Sequence, residues 1–257
     1  MVAVVVFEFS VMRCQPLRRA LCFWGLMKEL SLFISEFGEE KFYPMYRGQA
    51  DIDWALTPSI GRLYPRMNNK VKHSSWAAFE HGLLSQFKRL SEPYIKYRPK
   101  SRIEWLVEAQ HYGLATPLLD WSTSPLKALY FAVENPIYDL KDGAVYVIQP
   151  YSFNLENESL NEVKCLEFYF PKHSNERIIA QDGCFTIFPY PLTLSPLDDL
   201  KNRDSFSSNS LRTLRIIRIN AKDKPALREQ LSSIGINTMS MYPGLESVTK
   251  QIMNAMV

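Results

Sequence analysis

Cysteine is scarce and badly spaced for ligation. Four occur, Cys14, Cys22, Cys165 and Cys184, and no two form a C-x-x-C pair. Zinc centres and disulfide frameworks therefore lack their usual signature, and four unpaired thiols fit a reducing cytoplasm. Long apolar runs are missing as well. Val2–Phe9 is apolar, but it carries Glu8, lacks a basic leader and is broken by Arg13 and Pro16. A bilayer span needs about 20 apolar residues, so this stretch reads as a buried or edge strand, not a membrane segment. There is no block of one charge either. Thirty Lys and Arg against twenty-seven Asp and Glu leave +3, which neither demands nor excludes nucleic acid. The chain shows no internal repeat, P-loop, Rossmann glycine signature, H-E-x-x-H or G-x-S-x-G. No cluster of carboxylates suggests a two-metal nuclease, and no metal site is expected.

What is present is an ordinary globular composition, 46% hydrophobic and 22% charged over 257 residues. That length suffices for one large domain or two small ones. Helical spacing is clear in Trp24–Phe37, in Trp76–Leu90 with its Trp76, Phe79, Leu83, Phe87, Leu90 stripe, and in Arg102–Tyr112 before Gly113. Further helices are expected over Pro225–Ile234 and from Leu245 onward. Strands are expected at Phe42–Tyr46, Ala144–Gln149, Cys184–Phe188, Leu214–Asn220 and Ile236–Tyr242. Asn154–Asn161 and Ser195–Ser210 read as polar loops.

The stretch His111–Glu134, HYGLATPLLDWSTSPLKALYFAVE, organises the rest. It reads as a helix end, a tight polar turn and a new helix. Ser124 is placed to cap that helix and Pro125 to open it. Leu126, Leu129, Tyr130 and Val133 recur on one buried face, with Lys127 exposed. Polar groups at a helix N-terminus can form an anion or sugar site, although a well-capped core helix explains the same residues. Upstream, the expected strand delivers Arg47 into a turn containing Gly48. Its guanidinium is a planar fork of donors suited to phosphate or carboxylate; an arginine stitching the turn to the core is the competing explanation. His111 sits in a last helical turn, where the dipole favours a positive imidazole.

Several ordered motifs resemble the FRG domain family. They are Tyr46-Arg47-Gly48-Gln49, Leu56-Thr57-Pro58-Ser59, Gln110-His111-Tyr112-Gly113-Leu114, Leu118-Leu119-Asp120-Trp121-Ser122 and Ala128-Leu129-Tyr130-Phe131-Ala132. Arg177, Gln181, Gly183 and Phe185 resemble its later motif, and Tyr242-Pro243-Gly244-Leu245 its end. The resemblance spans 27–257 and leaves 1–26 as an accessory segment. One departure is that Pro117 stands where the family usually has arginine. The expected fold is one α+β domain, a mixed sheet flanked by helices.

The order arginine, Ser122-Thr123-Ser124, later acid is in turn similar to the arginine–serine–glutamate pattern of ADP-ribosyltransferases. That resemblance implies NAD as substrate. Arg47, Gly48, Gln49, Asp120, Ser122, Thr123, Ser124 and Arg177 would then form the nucleotide site, with Arg47, His111 and Gln181 among the catalytic candidates. The acid would come from Glu156, Glu158 or Glu176. The function implied is an ADP-ribosyltransferase-like intracellular effector, a toxin or anti-phage protein, with an unidentified macromolecular acceptor. A non-catalytic module binding a nucleotide or nucleic-acid end is the alternative. A glutamate beside Arg47 and Ser122 distinguishes the enzyme.

Overall fold

The computed structural model describes residues 28–37, 43–66, 75–151, 165–172, 176–202 and 211–256. The strand β3 (Gly143–Pro150) is buried along nearly its whole length. Val145 and Val147 enter one apolar cluster, and Ala144, Tyr146 and Ile148 enter another. A strand covered on both faces reads as a continuous apolar run rather than an alternating one. Around it lie β1 (Met45–Gln49), β2 (Leu118–Ser122), β4 (Glu167–Tyr169), β5 (Gly183–Ile187) and β6 (Leu211–Ile219). The sheet order is β4-β5-β2-β1-β3-β6. Every described pairing is antiparallel, a narrower arrangement than the mixed sheet expected.

Eight helices accompany the sheet among the described residues: α1 (Lys28–Ser35), α2 (Trp76–Ser91), α3 (Arg102–His111), α4 (Pro125–Val133), α5 (Glu176–Gln181), α6 (Lys224–Ser233), α7 (Thr238–Met241) and α8 (Leu245–Met256). The fold is therefore α+β. Helices α1, α4 and α6 share one core with Tyr46 and Val145, through Leu30, Leu129 and Leu231. Helices α2 and α3 pack Leu84 and Leu106 against Leu118 and Phe185 of β2 and β5.

Helix α4 forms as its sequence dictates. The Ser124 hydroxyl accepts from the Lys127 amide at 3.4 Å, and Pro125 opens the first turn. Leu129, Tyr130 and Val133 are buried, and Leu126 packs against the same core. Lys127, expected exposed, is half-buried instead, because its ammonium meets the Asp182 carboxylate at 2.7 Å.

Other expectations change. Leu118–Ser122 is a strand rather than a tight turn; Leu118 and Leu119 enter different cores, and only Asp120 is exposed. Gly48 lies inside β1, not in a turn. A Cβ there would overlap the Ala128 carbonyl oxygen and come within 2.8 Å of the Ala132 nitrogen. The glycine thus admits another backbone, that of α4. Helix α2 buries Trp76, Glu80 and Leu84, while Leu90 of the expected stripe is exposed. Ile236–Tyr242 is no strand: the Asn237 side-chain Oδ1 accepts from the Met239 and Ser240 amides, starting α7. Residues 1–26, and the loop expected at Asn154–Asn161, fall outside the described residues, as do 203–210 of the loop expected at Ser195–Ser210.

Candidate functional site

Strands β1 and β2 share a single described register pair, Tyr46↔Ser122. Past it they part, and a cavity of about 580 Å³ occupies the split. Ligand sites commonly enclose about 300–1,000 Å³. Strand β1 contributes Arg47 and Gln49, β2 contributes Asp120 and Ser122, and α4 contributes Phe131 and, just past its end, Glu134. Arg62, Arg177, Gln181, Trp54 and Tyr242 complete the wall from elsewhere in the chain.

Arg47 is held but not satisfied. Its Nη1 donates to the Asp120 carbonyl oxygen at 2.6 Å, and the Asp120 carboxylate stands 4.0 Å away. The Nε is buried without a hydrogen-bond partner. Burial lowers the guanidinium pKa from its ordinary value; Asp120 opposes this and Arg62 adds to it. A guanidinium nonetheless keeps its proton in a protein. The site thus holds a charge whose burial is opposed by one carboxylate, Asp120. Gln49 repeats the pattern: its Nε2 donates to the Ala55 carbonyl at 3.4 Å, and its Oε1 is buried without a partner. Buried polar groups left unpaired are rare enough to mark a place for a ligand.

Glu134 was not among the sequence candidates. It follows the last residue of α4 and accepts the Tyr242 hydroxyl on both carboxylate oxygens, at 3.1 and 3.0 Å. Burial first, then Glu134, pushes the Tyr242 phenol well up, so it stays protonated and donates. Tyr130, also coupled to Glu134, is pushed up to about 12, mainly by burial. The one sequence signal for Glu134 was its place. The C-terminal end of a helix favours cations, so an acid there works against local electrostatics.

The Ser-Thr-Ser segment divides. The Ser122 hydroxyl donates to the Gln181 carbonyl at 2.7 Å and accepts from the Ser124 amide at 3.0 Å, and it lines the cavity. Thr123 is exposed; its amide donates to the Asp182 carbonyl at 2.9 Å. Ser124 is the α4 cap. Neither belongs to the cavity wall, so both are corrected from ligand contacts to supports. Gln181 does line it, with its Nε2 donating to the Met241 carbonyl at 3.0 Å. Arg177 also lines it and lies 5.3 Å from the Tyr242 ring centre. Glu176 opens α5, is exposed and stands outside the wall. Glu156 and Glu158 lie outside the described residues.

His111 lines an adjoining cavity of about 100 Å³, which shares Asp120, Trp121, Arg177 and Gln181 with the larger one. Burial, then the charge of Arg177, lowers its pKa. That direction is opposite to the pull a helix C-terminus exerts on an imidazole. Gln110 ties α3 to β2, its Nε2 donating to Asp120 Oδ1 at 2.7 Å. Among the described residues, no group of three His, Cys, Asp or Glu could hold a metal ion. No described helix is long and apolar enough to cross a membrane.

The model of the FRG domain family matches residues 43–139, the segment containing β1, α2, α3, β2 and α4. No curated protein and no solved structure matches the chain. The match begins just before β1 and ends just after Glu134, so over this segment the chain is similar to the FRG domain.

Proposed function

We propose that the cavity binds NAD and transfers its ADP-ribose unit to a macromolecular acceptor or to water. One observation carries this reading: a guanidinium whose buried Nε is unpartnered and a glutamate line the same cavity. Arg47 would bind the pyrophosphate, for which its planar fork is suited. Trp54, Phe131 and Tyr242 offer apolar walls to the rings. In the transfer, the bond from ribose C1′ to the nicotinamide nitrogen breaks and its electron pair leaves with nicotinamide. Positive charge develops on the ribose, and the Glu134 carboxylate stabilises it. The acceptor oxygen or nitrogen then bonds C1′ and loses its proton to solvent. Fixed charge aimed at a developing cation supplies catalysis without a strong nucleophile.

The test combines calorimetry with NAD and an assay of nicotinamide release, with cell extract as an acceptor source. Wild type is expected to bind and to release nicotinamide. Glu134→Gln is expected to bind comparably and lose turnover, as for a group acting mainly in the transition state. Binding without release in wild type would leave a non-catalytic nucleotide module. An effector role, toxin or anti-phage, extends the proposal. Its readout is growth arrest on expression of wild type but not of Glu134→Gln.

A further inference from the structure

The loop joining α2 to α3 concentrates charge that the chain as a whole lacks. Between residues 92 and 101, Lys96, Arg98 and Lys100 accompany one acid, Glu92, which Arg98 meets at 3.1 Å, against 30 and 27 in the full sequence. Within it, Tyr94, Lys96, Tyr97, Arg98 and Lys100 interleave aromatic rings with cations, and all five are exposed. Tyr94 and Tyr97 are 81% and 83% exposed, an unusual state for rings with no core to fill. They edge a concavity of about 330 Å³, closed on other sides by Tyr112 and Lys172. Two carboxylates also line it: Glu104 accepts the Lys100 amide at 2.6 Å, and burial raises the Glu108 pKa above its ordinary value. Val107 lines both this groove and the small His111 cavity, which in turn shares four residues with the NAD cavity. The three therefore adjoin one another through shared wall residues.

We propose that this groove docks single-stranded nucleic acid. Lys96, Arg98, Lys100 and Lys172 take the phosphates, and Tyr94, Tyr97 and Tyr112 stack on the bases. Cations tracking a backbone between ring platforms suit unpaired strands, whose bases have free faces; a duplex offers none. An acidic peptide would match the charge and leave the tyrosines without stacking partners. Because the groove adjoins the His111 cavity at Val107, a strand docked there lies near the transfer site, which makes single-stranded nucleic acid the macromolecular acceptor. That second clause rests on the NAD reading, whereas the docking does not.

The experiment is fluorescence anisotropy with labelled single-stranded DNA and RNA of mixed sequence, against the matching duplex and polyglutamate. Four phosphate contacts predict that log affinity falls with log salt at a slope of about 3, using roughly 0.7 per contact for single strands. The double variant Lys96→Ala, Lys100→Ala is expected to lower that slope by about 1.4. Tyr97→Ala is expected to weaken binding about tenfold. None of these residues lines the NAD cavity, so NAD calorimetry is expected to stay unchanged in each variant. Absent binding, equal binding of duplex or polyglutamate, or variants that bind like wild type would overturn the docking. Single-strand binding that persists when the nicotinamide assay fails supports the docking and removes only the acceptor clause.

Discussion

Arg47 shows how far one side chain can be read from sequence. Its residue type and its neighbours in the motif marked it, because few groups other than a guanidinium offer a planar fork. Burial and the orphaned Nε were not legible, since both depend on β2 and on the split beside it. Arg47→Ala is expected to weaken NAD binding by about 1.5–3 kcal/mol, the usual contribution of a hydrogen bond to a charged group. Arg47→Lys is expected to recover only part, because an ammonium cannot reproduce the fork; titration calorimetry on the three proteins checks both. His111 carries a pH prediction. Its folded-state pKa lies below the ordinary value, so the folded protein binds this proton less readily than the unfolded chain. Stability is therefore lost as pH falls through about 6.5, where the unfolded imidazole takes its proton. His111→Gln removes that loss. Thermal midpoints from pH 7.5 down to 5.5 are expected to shift progressively in favour of the variant.

At the scale of the element, the contact of β1 with α4 decides where the site can form. Gly48 lets the α4 backbone lie directly on the strand. Gly48→Ala puts a methyl where only backbone atoms could yield. Overpacking commonly costs about 1–3 kcal/mol, and with no flexible side chain to move, about 3 kcal/mol or more is expected from a denaturant titration. Helices α2, α3 and α4 were legible because a 3.6-residue period survives in their buried faces. Strand β2 was not. Its Asp-Trp-Ser run carries turn-forming residue types, and pairing with β5 along all five residues overrides that local preference. Helix α7 failed to show for the opposite reason: a short apolar run resembles a strand, and the Asn237 cap that redirects it is a single side chain. Glu134 escaped because the search for an acid followed the order of the motif. The structure reaches it through Tyr242, 108 residues further along the chain.

For the whole molecule, a buried ionic knot joins segments far apart in sequence. Glu80 of α2, 2% exposed, accepts Arg102 Nη2 at 2.6 Å on both oxygens and the Tyr190 hydroxyl at 2.6 Å. Burial, reinforced by Glu80, pushes the Tyr190 phenol far up and keeps it a donor. Arg102→Ala strands this carboxylate. Breaking a buried pair costs about 3–5 kcal/mol, and the arginine side chain is 28% exposed. About 3 kcal/mol is therefore expected, read as a lower denaturation midpoint. The knot fastens α2 and α3 to the chain beyond β5, on the side of the sheet formed by β4, β5 and β2. On the other side, β1, β3 and β6 hold together by their own ladders. Within the sheet the two sides meet along a seam with one stitch, Tyr46↔Ser122, and the Arg47 bond to the Asp120 carbonyl is a clasp across it. A ligand that claims Arg47 competes for that clasp. On the proposed reading, occupancy and seam width are thereby coupled, and ligand binding is expected to change the compliance of the sheet between its two halves.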